Sequence, residues 1–67
     1  MSRAVPHYVR IVDAPGQPAR TYDCDSKREA SMCASEMFRG GFVGTVASVF
    51  EGHADDGIER DPVEVWS

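Results

Sequence analysis

Only one stretch of this chain carries a full helical signature, and the stripe it would bury is made largely of small residues. Ser26-Lys27-Arg28-Glu29 has the form of a capping box. In that motif the serine hydroxyl accepts from a free amide of the first turn and the glutamate reaches back to another. Asp25 adds negative charge where the helix dipole is positive. On a wheel of about 100° per residue, Ala30, Cys33, Ala34 and Met37 fall on one side, Phe38 lies at the margin and Met32 points towards solvent. This i, i+3, i+4, i+7 spacing predicts a helix packed on a sheet, and alanine and cysteine allow it to sit close to the strands. Gly40-Gly41 predicts its end, with a left-handed closing glycine.

The flanking segments supply the sheet. Residues 7–13 read as a strand with Val9 and Ile11 on one face and Tyr8, Arg10 and Val12 on the other. Ala14-Pro15-Gly16-Gln17-Pro18 reads as a turn, and residues 19–24 as a return strand with Arg20, Tyr22 and Cys24 on one face. Residues 42–50 are the longest β-rich run, where Gly44 suggests a bulge or a close backbone approach. Residues 63–66 read as a last strand, which Asp55-Asp56-Gly57 joins in a second hairpin. The expected fold is α+β, ββαββ, with a single helix packed on one face of a four-stranded antiparallel sheet. A right-handed crossover gives the strand order 2-1-3-4, and residues 1–67 are expected to form a single domain. The other sheet face then has no helix over it and is either solvated or a contact surface.

Composition narrows the function. With 67 residues, 42% of them apolar and 27% charged, the chain has ordinary globular composition. No apolar run approaches the roughly 20 residues of a membrane span, and Met1 to Pro6 lacks a stretch of signal-peptide length. The expected location is the cytoplasm. Cys24 and Cys33 are then expected to remain reduced and unreactive. His7 and His53 read as plain surface histidines, because nothing ties either to a serine or cysteine nucleophile. No paired ligand spacing suggests a metal, and Gly40 to Gly44 lacks the lysine and hydroxyl of a phosphate loop. An enzyme, a cofactor and a metal site are therefore not expected.

Charge is distributed unevenly. Residues 1–22 carry +2, residues 23–50 carry −1 and residues 51–67 carry −5, within a total of −4. An acidic quarter of this kind repels phosphate, so direct nucleic-acid binding is not expected. It attracts a basic surface instead.

The helix from Ser26 to Ala34, followed by Gly41-Phe42-Val43-Gly44-Thr45-Val46, resembles the small phage-derived anti-CRISPR proteins acting on type I systems. In this central third, in length and in element order the chain looks like a type I-F inhibitor, and in its acidic balance like the type I-C inhibitors. The resemblance implies a non-enzymatic anti-CRISPR inhibitor in the cytoplasm of a host bacterial cell. It would bind the type I Cascade surveillance complex on a basic DNA-binding surface and block target DNA binding by acidic DNA mimicry. The carboxylates that would carry such mimicry are Asp55, Asp56, Glu59, Asp61 and Glu64, with Glu29 and Glu36 on the helix flank as a second row. Tyr8 and Trp66 are either hydrophobic anchors or sheet packing. The alternative is a small protein–protein interaction module that uses the open sheet face or an edge strand without DNA mimicry, as a monomer or a homodimer. Tyr8, Val12 and Trp66 would then matter more than the acids.

Overall fold

The computed structural model describes residues 4–67; Met1 to Arg3, part of the segment read as lacking a signal sequence, lie outside it. The chain forms β1 (His7–Val12), β2 (Arg20–Cys24), α1 (Lys27–Arg39), β3 (Val46–Glu51) and β4 (Glu64–Trp66). All strand pairs are antiparallel, in the order β2-β1-β3-β4. This is the expected ββαββ fold, with α1 crossing over β1 to join β2 to β3.

Register decides which residues meet the helix. Val9 lies between Tyr22 and Val49, and Ile11 between Arg20 and Ala47. Strand side chains alternate faces, so Val9, Ile11, Ala47 and Val49 share the face beneath α1. All four are buried, with Ala30 and Ala34 of the helix packed onto them. Tyr22, Cys24, Cys33, Met37, Phe38 and Trp66 close the margins. The core is thin: its largest fully buried side chains are Ile11, Val9 and Val49, each contributing about 1.5–3 kcal/mol. Small residues on α1 suit this arrangement because the helix axis can come down onto the sheet without leaving voids.

The capping box forms nearly as the sequence suggests. Ser26 Oγ accepts from the Glu29 amide at 3.2 Å, and Glu29 Oε2 accepts at 3.2 Å from the amide of Asp25, one residue before the cap. At the other end Gly40 closes α1 with φ −82° and donates its amide to Glu36. The expected left-handed closing glycine is therefore not used.

Two further expectations are corrected. The run 42–50 is not strand throughout. Strand β3 begins at Val46, which faces Val12, the last residue of β1. Residues before Val46 would face a chain already leaving the sheet, so Phe42 to Thr45 form a turn instead. The Thr45 amide donates to the Phe42 carbonyl at 3.1 Å, and Gly44 takes φ +96°. His7 is not a surface histidine: it is buried on the helix side of β1, its Nδ1 donating to the Val5 carbonyl at 2.8 Å.

Candidate protein-binding site

The sheet face opposite α1 carries Tyr8, Arg10, Ser48, Phe50 and Val65. It is not left open. The segment between β3 and β4 folds back over it, and Ile58, Glu59, Arg60 and Asp61 form a cleft of about 570 Å³ with Tyr8, Arg10 and Phe50. Tyr8 and Phe50 are cross-strand partners whose rings stack at 4.9 Å and 12°. The Arg10 guanidinium lies 4.8 Å from the centre of the Phe50 ring, a cation–π contact. Both rings are buried, so Tyr8 serves sheet packing and is not a free anchor.

The segment 52–63 is fastened at several points. The Gly52 amide donates to Pro6 at 2.7 Å and the Val63 amide to Val49 at 2.8 Å. The Ala54 amide donates to Asp23 Oδ1 at 3.0 Å. Asp56 is the hub. It accepts from the Ile58 amide at 3.0 Å and the His53 amide at 3.4 Å, and pairs with Arg60 Nη2 at 2.8 Å. The Ile58 amide and, against some opposing burial, the Arg60 guanidinium hold the Asp56 carboxyl below the usual carboxylate range. Arg60 lies over Gly52, whose φ is +110°. A Cβ there would meet Arg60 Nη1 directly and stand 2.8 Å from its Cζ.

The seven carboxylates do not form one band. Asp56 is neutralised by Arg60. Glu64 is half-buried on the helix side of β4, accepting from Trp66 Nε1 at 2.6 Å and Ser31 Oγ at 3.1 Å. It ties β4 to α1, and Trp66 packs beside Phe38 with ring centres 6.2 Å apart. Glu29 is engaged in the cap. Glu36 lies on the outer face of α1, in a shallow groove it shares with Arg39 and Trp66. Asp55, Glu59 and Asp61 remain, exposed and without an ion pair or hydrogen bond among the described residues. Among the described residues the structure thus collects three unpaired carboxylates on one fastened loop, leaves Glu36 exposed on α1, and gives Asp56, Glu64 and Glu29 structural duties.

Arg60 and Asp23 organise this loop, and sequence reading did not single out either. The four-residue spacing of Asp56 and Arg60 was the available signal. No comparable signal links Asp23, 31 positions away from Ala54. Phe42 and Val43, expected in a strand, are instead almost wholly exposed.

Cys24 and Cys33 are unbridged and half-buried. Burial, and then the neighbouring Cys33, push the Cys24 thiol up. Among the described residues no group of three His, Cys, Asp or Glu side chains could hold a metal ion, and no helix is long and apolar enough to cross a membrane. The cleft offers carboxylates, two guanidiniums and a phenol ring, which suit hydrogen bonding and ion pairing with another molecule. No protein-family model, curated protein or solved structure matches this chain.

Proposed function

We propose that the protein is a non-catalytic binding module that engages a basic protein surface through the loop 52–63. The observation that carries this reading is the fastening of Asp55, Glu59 and Asp61, unpaired, on a loop whose other charges are already compensated. Four carboxylates against Arg60 leave residues 52–62 at −3. Held carboxylates bind arginine more strongly than mobile ones because less side-chain freedom is lost, and arginine accepts them in bidentate geometry. Exposed pairs contribute only about 0.2–1 kcal/mol each, so the three act together, with the exposed Ile58 beside them as apolar support.

The basic DNA-binding surface of a type I Cascade subunit is the partner that the anti-CRISPR resemblance implies. Occupying a patch that must hold target-DNA phosphates would block DNA binding. Mimicry of this kind is local: three or four charges stand in for a few phosphates, not for a length of duplex. The test is target-DNA binding by purified type I Cascade titrated with this protein at rising ionic strength. Inhibition that weakens with salt, and that Asp55→Lys, Glu59→Lys and Asp61→Lys together abolish without unfolding the domain, is the expected result. Undiminished DNA binding at saturating protein removes Cascade as the partner. Full inhibition by the triple variant removes the loop.

A further inference from the structure

Cys24 and Cys33 meet where β2 turns into α1. Cys24 is the last residue of β2 and the cross-strand partner of His7. Partners across an antiparallel pair share a face, and His7 is buried on the helix side, so Cys24 points beneath α1. Cys33 belongs to the inward stripe of the helix, and both cysteines pack against the same core cluster. They are nine positions apart, with the capped first turn of α1 doubling the chain back between them. Ala30 and Ala34, one turn before Cys33 and next to it, are fully buried. With so little bulk there the helix lies close to the strand, as a bridge of two short side chains requires. Cys33 hydrogen-bonds with the Cys24 thiol and acts on it more than Glu29 or Asp23 does. Their other polar contacts are weak, with Cys24 Sγ 3.9 Å from the Tyr22 carbonyl and Cys33 Sγ 3.9 Å from Met37 Sδ.

We infer that Cys24 and Cys33 are a redox-responsive pair, which closes into a disulfide when a small-molecule disulfide such as oxidised glutathione accumulates and so fastens β2 to α1. One protein thiolate attacks the glutathione disulfide, whose S–S bond breaks and releases the first glutathione thiolate. The second protein sulfur then attacks the protein sulfur of the mixed disulfide, forms the Cys24–Cys33 bond and releases the second. The pair gives up two electrons and two protons, and two reduced glutathiones carry them away. Burial, and then Cys33, keep the proton on Cys24. Little thiolate is therefore present at neutral pH, and the pair rests as a dithiol in a reducing compartment.

The strand that gains is the one held least. β2 is an edge strand with β1 as its only strand neighbour, and it gives the core only the half-buried Tyr22 and Cys24. It also carries Asp23, whose carboxylate takes the Ala54 amide at 3.0 Å. A bridge at Cys24 removes freedom from the unfolded chain and restrains this end of the strand. The inference rests on the β2–α1 junction alone and holds whatever partner the acidic loop meets.

The thiol–disulfide equilibrium of the full chain in glutathione redox buffers, measured in native buffer and in urea, tests this. Intact mass reads the bridged fraction as the loss of two hydrogens. Trypsin, cutting after Lys27 and Arg28, then leaves fragment 21–27 joined to fragment 29–39. The folded chain is expected to form the bridge at least about tenfold more readily than the urea-unfolded chain, because folding already holds the two thiols together. By linkage the same factor appears in the folding equilibrium, as a higher urea midpoint of the bridged protein that dithiothreitol reverses. Cys33→Ser in the same buffers takes up one glutathione at Cys24 and gains no such stability. Equal bridging in the folded and unfolded chains overturns the inference, as does a folded chain that carries glutathione on both cysteines and no bridge. Both of those measurements use the unaltered chain, so they decide the matter even where Cys33→Ser does not fold.

Discussion

Replacing Gly52 by alanine examines how the acidic loop is held. Gly52 has φ +110°, a conformation in which an L side chain costs about 1–3 kcal/mol. Its missing Cβ is also the space that the Arg60 guanidinium occupies, with Arg60 Cζ at 2.8 Å and Asp56 Oδ2 at 2.9 Å from the position a Cβ would take. Two separate penalties follow. The backbone penalty is present whatever lies nearby, and the larger part of the steric penalty exists only while Arg60 is in place. A domain of this size has only about 3–5 kcal/mol of stability to lose. At about 4–8 °C per kcal/mol, Gly52→Ala should lower the melting temperature by about 5–20 °C. Thermal unfolding followed by the fluorescence of the single tryptophan, Trp66, which packs beside Phe38, reads the change. Measured again in an Arg60→Ala background, the cost of Gly52→Ala should shrink, because the clash with Arg60 is gone while the backbone part and the Asp56 contact remain. Equal costs in the two backgrounds would show that Arg60 does not lie over Gly52. A Gly52→Ala protein as stable as the parent would refute the left-handed backbone itself.

Three other outcomes follow from the same geometry. Ala34→Leu adds volume at a fully buried contact between α1 and the sheet and should cost about 1–3 kcal/mol, read as a lower urea midpoint; Met32→Ala, at an exposed site on the same helix, should change it little. The raised Cys24 pKa means the folded state holds that proton more tightly than the unfolded chain. Its contribution is complete below the ordinary value of 9.0 and is lost as pH rises through the higher folded value, so Cys24→Ala should flatten the alkaline limb of the urea midpoint against pH. Asp56 has the opposite sign: its lowered pKa contributes stability above the ordinary value of 3.8 that is lost as pH falls through the folded value. Asp56→Asn should make acid unfolding shallower, and an unchanged acid limb would mean that the Ile58 and Arg60 contacts are not retained in solution.

Local rules made most of the framework legible from the residues alone. The capping box, the Ala30, Cys33, Ala34 and Met37 stripe and the alternation of Val9 and Ile11 concern neighbours within a turn or a pleat. Strand order followed from the handedness of one crossover. Reading failed where partners distant in sequence decide. Phe42 to Thr45 have strand-forming composition, but β1 has ended where their partners would stand, and a strand without a neighbour has no ladder to join. His7 is covered by elements that no local pattern brings to it. The acidic residues illustrate the limit most clearly. Glu64 and Asp55 are alike as sequence, each a carboxylate in the same acidic quarter. Folding gives Glu64 the Ser31 hydroxyl and the Trp66 indole and leaves Asp55 exposed, with no partner among the described residues. Sequence determined how many negative charges the chain carries and which short segments could become strand or helix. Tertiary structure alone decided which charges stay free to meet another molecule, because a carboxylate's availability depends on the donors that a fold brings within about 3 Å, and those donors come from anywhere in the chain.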